Sequence, residues 1–83
     1  MTILPVGGKV LEYVSRRGLS SKFDKQLKFL GGNPRHPSLN MELLEPKDMG
    51  IYNFRVDRKY RALFIFRPDK QAIEVLAVTD HYK

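Results

Sequence analysis

Eighty-three residues, 42% hydrophobic and 29% charged, make an ordinary globular composition, predicted as one domain over 1–83 and near the size where a single core only just suffices. The sequence has no cysteine, which excludes disulfide frameworks and zinc–thiolate sites, and His36 and His81 lie too far apart for an HExxH-type pattern, so neither a metal nor a cofactor is expected. A net charge of +6, with a pI near 9.8, is the electrostatic footprint of a nucleic-acid binder or of a protein neutralised by an acidic partner; plain solubility is the duller alternative.

Met1 to Val6 suggests a short edge strand, with Pro5 limiting its pairing. The same segment is too short and too glycine-broken for a signal peptide, and no stretch has the apolar length of a membrane span. A cytoplasmic protein without a membrane partner is expected. Gly7-Gly8-Lys9 lacks the rest of a phosphate-binding loop and reads as a turn. Val10, Leu11 and Val14 have helical spacing, with Gly18 as the stop. A second helix follows, with Ser20 or Ser21 as its cap, Asp24 in its first turn and an apolar stripe of Phe23, Leu27 and Leu30. Lys22, Lys25 and Lys28 look outward as a solvated face, and Gly31 to Pro34 ends the helix.

Arg35 to Ser38 is predicted as an extended connector, because residues before proline avoid the helical region. Leu39, Met41 and Leu43 alternate as a strand, and Pro46 to Gly50 turns the chain. Tyr52, Phe54 and Val56 then alternate on one arm of a hairpin, and Tyr60, Ala62, Phe64 and Phe66 on the other. Pairing Val56 with Tyr60 places both apolar rows on one face and sets Arg55 opposite Arg61 on the other. Like charges directly opposite are destabilising, so this hairpin suggests a place that holds an anion. Four of the seven residues from Arg55 to Arg61 are cationic, which concentrates the excess charge there. After the turn at Arg67 to Lys70, Ala72 to Val78 is the last strand, largely buried apart from Glu74.

Helices first and a meander second predict an α+β domain: an antiparallel sheet of about four strands with N-terminal helices on one face. The helices should cover Tyr52, Phe54, Ala62 and Phe64. Asn53, Arg55 and Arg61 should stay free on the other face, which becomes the candidate site.

The sequence shows no Ser-His-Asp or Cys-His arrangement and no carboxylate pair suited to glycoside chemistry. It does offer clustered guanidinium groups and a His81-Tyr82 pair after the last strand. That set suits RNA cleavage, where the substrate's 2′-hydroxyl is the nucleophile. Arginine matches phosphate oxygens and stays charged, while histidine titrates near neutral pH as base or acid. Tyr82 suits positioning, base stacking or proton shuttling. The structural alternatives are surface salt bridges from Arg61 to Glu74 or Asp57 and from Arg55 to Asp57, with His81 and Tyr82 as a frayed tail.

The ordered set His36-Pro37-Ser38-Leu39, Ile51 to Phe64 and Val75 to Tyr82 resembles the RelE/ParE superfamily of bacterial type II toxin–antitoxin toxins, over roughly the C-terminal two thirds from Phe23 onward. The resemblance implies a RelE-like fold and a cognate antitoxin partner. In the ribosome-dependent nuclease branch it implies metal-independent cleavage of mRNA on the ribosome. Arg61 then matches the arginine of the strand after the turn, and Arg55 a basic sheet position. His81 falls where members carry a functional Arg or His, and Tyr82 resembles a His-Tyr ending. Arg58, Lys59 and Asn53 are expected to bind RNA, although Asn53 stands where several nucleases place a lysine. The same scaffold in its ParE-like form inhibits DNA gyrase by binding, and a third reading is a basic binding module without catalysis.

Overall fold

The computed structural model describes residues 1–69 and 71–81. The elements run β1 (Thr2–Ile3), α1 (Gly8–Arg16), α2 (Ser20–Gly32), β2 (Glu42–Leu43), β3 (Tyr52–Arg55), β4 (Arg61–Arg67) and β5 (Ala72–Thr79). They form an α+β fold with a five-stranded sheet in the order β1-β5-β4-β3-β2. The sheet is mixed rather than wholly antiparallel, because β1 lies parallel to β5, with Thr2 opposite Ala72 and Ile3 opposite Ile73. The fifth strand arises because Met1–Val6 and the Met41–Leu44 region each contribute only two paired residues, one at either edge.

The helices cover one sheet face. Val14, Leu19, Phe23 and Leu30 meet Phe54, Ala62, Phe64, Ile73, Val75 and Val78 in one core, all 7% exposed or less. Burying each large side chain contributes about 1.5–3 kcal/mol. Phe23 stacks on Phe54 with ring centroids 6.5 Å apart, and Phe64 tilts against Phe54 at 5.8 Å. Leu11, placed by its spacing with Val10 and Val14, instead points to solvent at 47% exposure.

The α1–α2 junction follows from Gly18. Its φ of +66° is the left-handed conformation that glycine adopts without a Cβ penalty. Gly18 N donates to Ser15 O (3.1 Å) and Leu19 N to Val14 O (2.9 Å), the paired bonds of a Schellman stop. Leu19 is thereby buried beside Val14 and also begins α2, its carbonyl accepting from Phe23 N at 2.8 Å. Ser20 is already helical and the cap position belongs to Leu19, without a side-chain cap, so neither Ser20 nor Ser21 plays the expected role.

Two further departures shape the site. Pro37–Leu39 is a 3-10 turn rather than an extended connector. His36 itself remains extended, as a residue before proline should be. In β5 the register slips between Leu63↔Ala77 and Phe64↔Val75, leaving Leu76 as an extra residue. This bulge keeps Ile73, Val75 and Val78 on the core side although their spacing breaks strict alternation.

Candidate functional site

The β3–β4 hairpin has the register that its alternation implies. Arg55 stands opposite Arg61, and Val56 N donates to Tyr60 O at 3.0 Å. Asp57 holds the turn: its Oδ1 accepts from Lys59 N (2.9 Å) and Tyr60 N (2.8 Å). Burial pushes the Asp57 carboxyl up, but the Tyr60 and Lys59 N–H groups and the charges of Lys22 and Lys59 outweigh it and hold the group below its ordinary value.

The two arginines avoid each other by taking different environments. Arg55 is exposed, whereas Arg61 is 6% exposed and Asn53 only 1%, so the expectation that Asn53 and Arg61 lie free on the open face does not hold. The loop through Asn40 and the edge strand β2 enclose them. Arg61 Nη1 donates to Asn40 O (2.9 Å) and to Asn53 Oδ1 (2.5 Å), and Nη2 lies 3.4 Å from Glu42 Oε1. Asn40 adopts φ +44°, a left-handed conformation that asparagine tolerates, at the end of the 3-10 turn. Neither salt-bridge alternative for Arg61 forms: Glu74 binds Arg67, and Asp57 serves its own turn and Lys22. Asn53, standing where a lysine was the comparison, supplies the acceptor that a buried guanidinium needs; a lysine would set a second cation there.

Glu42 links this buried cation to solvent. Its side chain is 58% exposed, and it lines an open groove of about 450 Å³ with Leu43, Glu45, Asn53, Leu63 and His81. β2 pairs Glu42 opposite Asn53, which is why these side chains share one end of the sheet. His81 reaches the groove from the end of β5, where Thr79 is paired opposite Arg61. Its backbone N donates to Thr79 Oγ1 (2.9 Å), and its exposed imidazole Nε2 lies 3.3 Å from Asp80 Oδ1. Tyr82, the remaining candidate, lies outside the described residues. Lys59 Nζ is 3.9 Å from Asp80 Oδ2, so the turn contributes a cation beside His81. Arg58 and Arg55 belong to a second groove, shared with α2.

Glu42 and Gln26 were not singled out from the sequence, and His36 was named only within its motif, without a structural role. Gln26 is 6% exposed; its Nε2 donates to Ser38 O (2.9 Å) and Arg55 O (2.8 Å). It interrupts the apolar stripe of α2 between Phe23 and Leu27, and that interruption is a visible signal. His36 stacks on Phe29 at 3.8 Å, and its Nδ1 accepts from Ser38 N at 3.2 Å. These contacts fix the 3-10 turn that presents Asn40 O to Arg61.

No family model matches the chain, and no curated protein sequence does. Solved structures share its fold. A YoeB/ParE toxin from Agrobacterium tumefaciens superposes with a TM-score of 0.73 at 19% identity, over 98% of this chain and 96% of that one. A chain of the heterotetrameric YoeB–YefM toxin–antitoxin complex from Staphylococcus aureus gives 0.70 at 17% identity, over 99% of both chains. A further YoeB–YefM complex from Staphylococcus aureus gives 0.71, also at 17% identity and over 99% of both. The chain therefore has the YoeB/ParE toxin fold.

Proposed function

We propose that this protein is the toxin of a type II toxin–antitoxin pair and an endoribonuclease that cuts mRNA on the ribosome in the cytoplasm. The observation that carries the reading is that Glu42 and His81 line one open groove, and that Glu42 reaches from it to the buried Arg61 guanidinium, 3.4 Å away. RNA placed there presents a phosphate to the Arg61 guanidinium. The phosphate competes with Glu42 for Nη2 and so releases a carboxylate able to take the 2′-proton. The 2′-oxygen then attacks the adjacent phosphorus, and the bond to the 5′-oxygen breaks. Protonated His81 supplies the leaving oxygen with its proton. The products are a 2′,3′-cyclic phosphate and a free 5′-hydroxyl. Arg61 acts by electrostatic stabilisation of the phosphorane, where a fixed guanidinium is more effective than a mobile one. Tyr82 is assigned to positioning the base or the leaving group, and Asn53 to holding Arg61.

A gyrase-inhibiting, ParE-like function is the second reading. It is favoured by the engagement of Arg61 with Asn40, Asn53 and Glu42 among the described residues, since a buried guanidinium so held also serves a purely structural purpose. In either case an antitoxin with acidic surface is the expected partner of a +6 chain, in keeping with the YefM partner of the similar toxins. Mapping mRNA 5′ ends after brief induction tests the choice. New ends within translated codons, absent with Glu42→Gln, support the nuclease. Growth arrest with no new ends, together with lost supercoiling by purified gyrase, overturns it.

A further inference from the structure

A second groove, of about 370 Å³, lies between α2 and the β3–β4 turn, away from Glu42 and His81. Lys22 and Lys25 line it from α2, Arg55 from the end of β3 and Arg58 from the turn. Four cations thus face the single carboxylate of Asp57. That carboxylate is committed: Oδ1 holds two backbone N–H groups, and Oδ2 lies 3.9 Å from Lys22 Nζ. Among the described residues, Lys25, Arg55 and Arg58 have no carboxylate within ion-pair distance.

The groove is also rigidly built. Gln26, buried between its walls, ties α2 to Ser38 O and to Arg55 O, while its Oε1 accepts from Ser38 Oγ at 3.3 Å. One buried amide therefore fixes the helix, the 3-10 turn and the strand end relative to each other, so little ordering remains to be done when a ligand arrives. Val56, the apolar residue of the lining, is 4% exposed, which leaves no pocket for a peptide's apolar side chain. The guanidinium forks of Arg55 and Arg58 match phosphate oxygens instead.

We propose that this groove binds the sugar–phosphate backbone of the RNA strand, taking phosphates that flank the one being cleaved; the flanking role rests on the nuclease reading above. Arg55, in this groove, is the register partner of Arg61, which in turn pairs with Glu42 of the first groove. The β3–β4 strand pair therefore connects the two grooves, and one RNA strand is proposed to cross it. Lys22 and Lys25, read from the sequence as a solvated face, become part of the substrate track.

The test measures binding of a fluorescent single-stranded RNA carrying 2′-O-methyl groups, which cannot be cut, across a KCl titration. Each phosphate contact on single strands contributes about 0.7 to the slope of log affinity against log salt. The K25A/R55A/R58A variant should bind more weakly, with a slope shallower by about 2. R55K/R58K should keep the wild-type slope, as should Lys47→Ala outside the groove, with unchanged thermal melting confirming the fold of each. A triple variant with the wild-type slope overturns the proposal. So does one that keeps its RNA affinity but loses binding to a polyglutamate peptide, which would make the occupant an acidic protein. Cleavage of ribosome-bound mRNA by the wild type, together with a triple variant that keeps the wild-type slope, removes the groove and spares the nuclease. A slope change in a protein that cuts nothing removes the nuclease and leaves a backbone-binding site.

Discussion

Arg61 is matched by a backbone carbonyl, an amide oxygen and a carboxylate, and each acceptor comes from a different part of the chain. Removing the guanidinium leaves Asn53 Oδ1 and Asn40 O facing a buried gap, so Arg61→Ala should destabilise the fold by about 1–3 kcal/mol, measured by urea denaturation. Asn53→Ala should cost a similar amount, about 1–3 kcal/mol, because it strips the cation of an acceptor. Loss of activity in Arg61→Ala is therefore ambiguous by itself. Glu42→Gln separates chemistry from stability. Its carboxylate is exposed, and glutamine keeps a side-chain oxygen able to accept from Arg61 Nη2, so the melting temperature should hardly move. Cleavage should nevertheless fall about 10²–10⁴-fold, the range for a lost general base. A Glu42→Gln variant that cuts at the wild-type rate would remove Glu42 from the proposed chemistry. Asn53, Arg55 and Arg61 were visible in the sequence as one row of a strand pair. Their burial was not, because alternation tells which side chains share a face and says nothing of what covers that face. Here the cover is Asn40 and the two-residue strand at Glu42, both distant in sequence.

The hairpin was the most readable element, since a period of two that sets Asn53, Arg55 and Arg61 off the apolar rows favours one register. Its turn adds a pH dependence. The Asp57 carboxyl is held below its ordinary value in the folded protein. The stability it contributes is fully present above the unfolded carboxylate value, near pH 3.9. It is lost as pH falls through the lower folded value. Melting curves of wild type and Asp57→Asn should therefore differ above about pH 4 and converge below it. An undiminished difference in acid would contradict this account of the turn. The helix junction gives a second check. Gly18→Ala places a Cβ at a positive φ with no side chain nearby to strain, so the cost is backbone alone, about 1–2 kcal/mol. The sequence pointed to Gly18 as a stop but favoured the serines over Leu19 as the start of α2. Burial of Leu19 against Val14 outweighed a hydroxyl cap worth about 1 kcal/mol.

At the scale of the molecule, the helices-then-meander order was enough to establish the α+β class and which face the helices cover. The parallel β1–β5 pair was out of reach, because two residues carry no periodicity and their partner lies at the other end of the chain. The bulge at Leu76 was equally hidden, since strict alternation through Ala72–Val78 cannot place both Val75 and Val78 inward. The proposed site was drawn in outline from chemistry and resemblance, while the Glu42 carboxylate entered it only through the β2–β3 register. The positive charge of the whole chain then fits both proposed partners, an RNA strand and an acidic antitoxin, whose association should slow as salt rises.

The most direct measurement of the central claim uses the purified protein on ribosomes stalled with a defined mRNA, followed by analysis of the RNA ends. Cuts are expected in the ribosome-bound message, with a 2′,3′-cyclic phosphate on the upstream fragment and a 5′-hydroxyl on the downstream one, and an uncut message with Glu42→Gln. An intact message with the wild-type protein, or ends bearing a 5′-phosphate, would contradict it.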